Sequence, residues 1–183
     1  MKHLFLVVAI LIANISFSQN KYITKTGTVV FEASVPSFEE VKAKNTSTTA
    51  ILNTENGEFA ALVLIKGFRF KNALMEEHFN ENYAESDQFP KATFKGTISN
   101  FTIDKLTLSS TSFTYNGELT FHGKTKALEN FTLNMSVTED HTILISGEFI
   151  VEVSDFDIKI PKVVSNKLSK EVEVVFDFNL IKK

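Results

Sequence analysis

The chain has no cysteine and four histidines in 183 residues, so nucleophilic, acid–base or metal chemistry would have to centre on histidine and carboxylates. The cysteine count removes thiol catalysis, cysteine zinc sites and disulfide exchange. His78 stands among Glu76, Glu77 and Glu81. On a helix, His78 would share a face with Glu81 or Asn82, at spacings of three and four. Zinc takes three or four ligands, so the favoured reading of His78 is a residue that packs or hydrogen-bonds where a helix meets a sheet. His122 falls, by alternation, on an outer face or at a strand end. A general base needs a partner within hydrogen-bond reach, and the sequence around His122 supplies none. His141 lies in the turn Glu139-Asp140-His141. There is no nucleophile elbow, phosphate loop or dinucleotide fingerprint. The carboxylates are dispersed, with no pair that would serve glycoside hydrolysis. The expectation is a protein that is not an enzyme, with no catalytic residues and no metal site.

Strands must position whatever site exists. Period-two alternation recurs along the chain. Val29, Phe31, Ala33 and Val35 share one face, as do Ala92, Phe94, Gly96 and Ile98. The same holds for Phe113, Tyr115, Leu119 and Phe121, for Phe131, Leu133, Met135 and Val137, and for Ile143, Ile145, Phe149 and Val151. The last such run is Val172, Val174, Phe176, Phe178 and Leu180. Two further strands are expected at Ser47–Leu52 and Gly57–Ile65, joined through Asn56-Gly57, a hairpin signal. About eight strands with one dry and one wet face suit an antiparallel sheet. A sandwich or a closed barrel would bury the dry faces. Phe156 to Ser169 has no period and reads as a long loop.

One amphipathic helix interrupts the strands. Asn72 can cap it, and Ala73, Leu74 and Met75 are good helix formers. Met75, Phe79 and Tyr83, four apart, make an apolar stripe flanked by Leu74 and His78. From Asn72 to Pro90 there are five acidic residues and no basic one, so the outer face reads as strongly negative. Such an insertion suggests a lid or plug over a barrel.

The N-terminus has the pattern of a secretory signal peptide over residues 1–18: Met1-Lys2-His3, an apolar run from Leu4 to Ile15, then Ser16-Phe17-Ser18. Residues 19–183 then form a single domain with a net charge of −4 once Lys2 is removed. This balance excludes a basic nucleic-acid-binding surface. The expected location is periplasmic or secreted. Two of the 18 Phe fall in the leader, and there is no Trp. The remaining Phe fall largely on dry faces, where they either fill an ordinary core or line a cavity.

Three stretches resemble the YceI-like family of exported polyisoprenoid-binding proteins. The first runs from Phe68-Arg69-Phe70 through Met75-Glu76-Glu77-His78-Phe79-Asn80-Glu81-Asn82-Tyr83 to Phe89-Pro90-Lys91-Ala92-Thr93-Phe94. The second is Gly117-Glu118-Leu119-Thr120-Phe121-His122-Gly123-Lys124-Thr125-Lys126, similar to the family's Gly-x-Leu-Thr-x-His-Gly-x-Thr-Lys. The third is Ser154-Asp155-Phe156-Asp157-Ile158 followed by Leu168 to Leu180, with Asp157 where the family often has Gly. The resemblance implies an all-β fold, an eight-stranded antiparallel lipocalin-like barrel with one short α-helix inserted between strands. It also implies a hydrophobic lipid partner, an isoprenoid, isoprenoid quinone or similar long-chain amphiphile, with no other cofactor and transient contact with membranes. On that reading Phe31, Phe94, Phe121, Phe149 and Phe176 line the interior, while Phe68, Phe70, Leu74, Met75 and Phe79 shape the mouth. The alternative is an interaction module with a solid Phe core that docks a basic partner on its acidic helix.

Overall fold

The computed structural model of the protein describes residues 20–183; the expected leader lies outside the described residues. Nine strands run in chain order: β1 (Lys21–Ser34), β2 (Lys42–Asn53), β3 (Glu58–Leu64), β4 (Arg69–Phe70), β5 (Lys91–Ile98), β6 (Thr111–Phe121), β7 (Lys124–Val137), β8 (Ile143–Glu152) and β9 (Leu168–Lys182). Eight of them close into an antiparallel barrel, β1-β2-β3-β5-β6-β7-β8-β9 and back to β1. The two-residue β4 pairs with the start of β2, Ala43 facing Phe70. One helix, α1 (Ala73–His78), continues into a π-helical turn over Phe79–Tyr83. Closure leaves the long strands without the open edges that invite aggregation.

The alternating faces point as their sequence pattern predicts, but β1 and β7 begin earlier than Val29 and Phe131, where their alternating runs start. Bulges explain the difference. Register slips between Thr24 and Gly27 in β1, and between Tyr115 and Gly117 of β6 as they pair with β7. Asn130 takes a left-handed φ of 54° and flips the facing, so that Leu128 and Phe131 both turn inward. Alternation read along one line loses a strand at such a step. At the β6–β7 turn, His122 and Gly123 have φ of 49° and 72°, the double-positive pattern of a tight two-residue hairpin.

The barrel interior divides into two halves. At the end where β1 starts and β9 finishes, Leu52, Phe59, Ile98, Tyr115, Leu133, Met135, Ile143, Ile145, Phe178 and Leu180 are all essentially buried. They form a continuous ring across the pairings, Leu52 facing Phe59, Ile98 facing Tyr115 and Ile145 facing Phe178. Above them lies a layer of aromatic rings. Phe94 stacks on Tyr115 at 4.7 Å and lies parallel to Phe149 at 5.8 Å, and Phe176 stacks on Phe178 at 5.1 Å. Phe131 meets Phe149 edge-on at 5.5 Å.

The rings have room because glycines face them. A Cβ on Gly117 would stand 2.4 Å from the Tyr115 ring, one on Gly147 2.8 Å from Phe176, and one on Gly27 2.4 Å from Phe178. Tyr115 also donates its hydroxyl to the Phe59 carbonyl at 3.2 Å, and burial pushes its phenol well above the usual range, so it remains a neutral donor. Gly117→Ala should therefore lower the unfolding free energy by about 1–3 kcal/mol through overpacking. The sign opposes the backbone gain of about 0.5–1 kcal/mol that alanine normally brings to a strand. Chemical denaturation of the two proteins measures the difference.

Candidate ligand-binding site

Above the aromatic layer the barrel is hollow. The cavity measures about 490 Å³, within the range of small-molecule sites. Its wall alternates rings with small side chains: Val29, Phe31 and Ala33 from β1, Ala61 and Val63 from β3, Ala92 and Phe94 from β5, Leu119 and Phe121 from β6. Strands β8 and β9 add Phe149, Val151, Val172, Val174, Phe176 and Phe178. In the packed half the corresponding positions carry Leu, Ile, Met, Tyr and Phe. Substituting Ala and Val for these larger residues opens the space. Polar lining is sparse and lies mainly toward the rim, at Glu39, His78, Glu152, Lys167 and Ser169. Glu39, His78 and Lys167 are exposed, so the cavity reaches solvent between the segments that carry them.

Three segments form that rim. The first is the β1–β2 loop with Phe38 and Glu39. The second is α1 with its π turn, which presents Met75, His78, Phe79 and Tyr83. The Asn72 side chain caps α1, accepting from the Leu74 amide at 2.9 Å. Phe79 packs among Phe31, Phe68 and Phe70, at ring separations of 5.1, 6.0 and 5.2 Å. Glu76 reaches back to Arg69 at 3.0 Å and accepts from the Phe70 amide at 3.2 Å. Burial raises the Tyr83 phenol, so this rim residue also stays neutral. The third segment is the β8–β9 connection, whose Phe156, Ile158, Ile160 and Val164 join the wall together with Leu168 at the start of β9. It was expected only as a loop. Its residues Phe156, Ile158 and Ile160 are spaced by two, a local signal of one-sided facing.

Of the ten side chains expected in or around the interior, Phe31, Phe68, Phe70, Met75, Phe79, Phe94, Phe121, Phe149 and Phe176 line this cavity. Leu74 does not: it is 56% exposed. One step along the helix from Met75 turns it about 100° away from the barrel, so it flanks the stripe on the solvent side.

The expected lack of a partner for His122 is also corrected. Its Nε2 lies 2.7 Å from Glu85 Oε2 and its Nδ1 2.9 Å from the Phe156 carbonyl oxygen. Phe89 packs edge-on against the same ring at 4.6 Å. Both partners are acceptors, so the ring donates to one of them in either neutral tautomer and to both only when protonated. The residue pins the β6–β7 turn, the segment after the π turn and the β8–β9 connection together. Among the described residues no group of three His, Asp or Glu is placed to hold a metal.

Salt bridges also alter the acidic face. Glu76 pairs with Arg69, Glu85 with His122 and Asp87 with Lys66 at 2.5 Å, which leaves Glu77 and Glu81 to carry the outward charge. Asp157, in the family's glycine position, takes a left-handed φ of 58°, a conformation Asp tolerates better than most residues. Lys124, 2.6 Å away, holds its carboxyl below the usual range.

A closed eight-stranded barrel with a solid floor and an apolar pocket open at one end defines a lipocalin-like fold. The chain belongs to the YceI-like domain family, whose model matches residues 17–180. Among solved structures it is similar to a polyisoprenoid-binding domain from Saccharophagus degradans implicated in plant cell wall breakdown. That likeness is at 14% identity and a TM-score of 0.78, covering 90% of this chain and 99% of that one. It is also similar to BcnA of Burkholderia cenocepacia, at 15% identity and a TM-score of 0.64, over 84% of this chain and 96% of that one. A third is the YCEI protein of Campylobacter jejuni, at 15% identity and a TM-score of 0.55, over 79% and 88%. These likenesses show the shared fold. No curated protein matches the sequence.

Two predictions follow from the rim's polar contacts. His122→Ala should cost about 1–2 kcal/mol, chiefly because the Phe156 carbonyl loses its donor. Glu85→Gln should cost less than about 0.5 kcal/mol, since Glu85 is half exposed and surface pairs contribute little. Thermal unfolding of both variants checks the order. Separately, the Lys126 ammonium and the Glu152 amide hold the Asp155 carboxyl below its usual range. A depressed folded value stabilises the protein fully above about pH 4 and is lost as pH falls through it. Wild type should lose up to about 1 kcal/mol more than Asp155→Asn on acidification below about pH 4, read from denaturant midpoints at each pH.

Proposed function

We propose that this protein binds a hydrophobic lipid, an isoprenoid, isoprenoid quinone or similar long-chain amphiphile, inside the hollow half of the barrel. It acts as a carrier or sequestering protein in the periplasm or outside the cell. The observation that supports this reading is the cavity itself, walled by Phe, Val and Ala with its polar groups mainly toward the rim. Such a wall offers water few hydrogen-bond partners, and apolar surface gains about 25 cal/mol per Å² when a tail covers it. The named binding activity of the Saccharophagus degradans domain and the secretory pattern of the N-terminus point the same way.

Transient membrane contact completes the reading. From Ile158 to Lys170 the chain carries Lys159, Lys162, Lys167 and Lys170 and no acidic residue. On the same rim Val163 is 81% and Phe38 44% exposed. Lysines near an anionic surface contribute about 1 kcal/mol each, and exposed apolar residues between them suit an interface. A docked rim would let a tail pass from bilayer to barrel with little exposure to water.

The solid-core alternative describes the packed half alone. Its acidic docking face is reduced by the three salt bridges that α1 and the following turn make.

Native mass spectrometry should show a copurifying lipid, and the protein should extract a fluorescent prenyl lipid from anionic vesicles. Phe121→Glu, at a half-buried wall position, should weaken extraction at least about tenfold with circular dichroism unchanged. Lys162→Glu combined with Lys170→Glu should slow extraction while leaving affinity in solution intact. Empty preparations that also take up no prenyl lipid would remove the proposal.

A further inference from the structure

The floor of the cavity sets how much of an apolar chain the barrel can take, an inference that rests on the lipid-binding reading. An apolar cavity of about 150 Å³ is occupied by one benzene, six carbons. At that density the 490 Å³ of this cavity hold roughly twenty carbons. The depth is consistent. β9 runs from Leu168 at the rim to Phe176 in the aromatic layer, about 26 Å along the strand. That is roughly 20 Å along the axis at a typical strand tilt, the reach of an extended tail of four isoprene units.

Below this level the space is taken. Tyr115 and Phe59 are buried to within 1%, directly under Phe94, and Leu133, Met135 and Ile145 close the centre. The rings are backed by glycines whose Cβ positions they already occupy, so they have nowhere to retreat. The wall near the floor carries no charged group. The lining residues Glu39, His78, Glu152 and Lys167 belong to the segments at its open end, and Thr93 is an uncharged polar residue of the wall.

We infer that the hollow half takes the apolar end of a chain to a depth of about four isoprene units, with the polar head and any further length left outside the rim. The selected ligand class is then an amphiphile with a tail near twenty carbons. Longer tails bind no more tightly, because added units meet solvent.

Displacement of a fluorescent apolar dye by prenyl alcohols of two, three, four, six and nine isoprene units tests this. Affinity should rise about tenfold per unit up to four and change less than about threefold from four to nine. A further gain of about tenfold or more beyond four units, or a break at two, overturns the ceiling. Displacement by none of the series overturns the lipid-binding reading itself. Phe176→Ala should move the break to longer tails by opening the floor, and Ala92→Phe should move it to shorter ones by filling the wall. Should Phe176→Ala fail to fold, the wild-type series and Ala92→Phe still decide; a break unmoved in Ala92→Phe places the tail elsewhere and overturns the inference.

Discussion

The structure depends on aromatic rings laid over glycines across the middle of the barrel. An eight-stranded barrel is just wide enough for its side chains to fill or for one small ligand to occupy. Which outcome prevails at each level depends on local volume. Tyr115 lies against Gly117, Phe176 against Gly147 and Phe178 against Gly27. Each glycine lets a ring approach the backbone and cross the barrel. The layer they form separates a half filled by Leu, Ile and Met from a half lined by Ala and Val. Without the glycines the rings would have to rise into the hollow; without the rings the hollow would run on through the barrel.

The same economy of contacts organises the rim. Phe79 seats the π turn against Phe31, Phe68 and Phe70, while Glu76 ties α1 to β4. His122 joins three segments that are distant in sequence. The acidic residues of the helical insertion are largely consumed by these ties and by Lys66. From Ile158 to Lys170 the lysines have no acid among them, and the two acids earlier in the β8–β9 connection, Asp155 and Asp157, are paired with Lys126 and Lys124. Sequence charge suggested a negative lid; the contacts leave Glu77 and Glu81 as its outward charge.

Strands with unbroken alternation, such as β5, β8 and β9, were legible in the sequence, and so were the rings that they aim inward. Phe94, Phe149 and Phe176 stand at positions that a period of two assigns without ambiguity. Strand starts in β1 and β7 were hidden because a bulge reverses the facing, which no local pattern announces. Leu74 was misplaced because a helix stripe one residue wider than its true contact still looks amphipathic. The His122–Glu85 contact spans 37 residues and exists only once the barrel closes. The choice between a solid and a hollow interior was equally out of reach. Counting Phe says how much ring is buried, whereas the void depends on Ala33, Ala61 and Ala92 standing among the rings.

The two-part interior also separates stability from binding. A sealed, dry void of this size would cost on the order of 10 kcal/mol at the rate measured for cavities left by core truncations, as much as a whole domain's stability. The rim is open, so water can enter, but an apolar wall holds it poorly. The packed half therefore carries the fold, and the hollow half retains unsatisfied apolar surface that a tail can cover. Any ligand that binds only the folded barrel raises its stability in proportion to the logarithm of its saturation ratio. Occupancy and stability are thus coupled through one surface, the wall above the aromatic layer, while the layer itself isolates the packed half from whether that wall is covered.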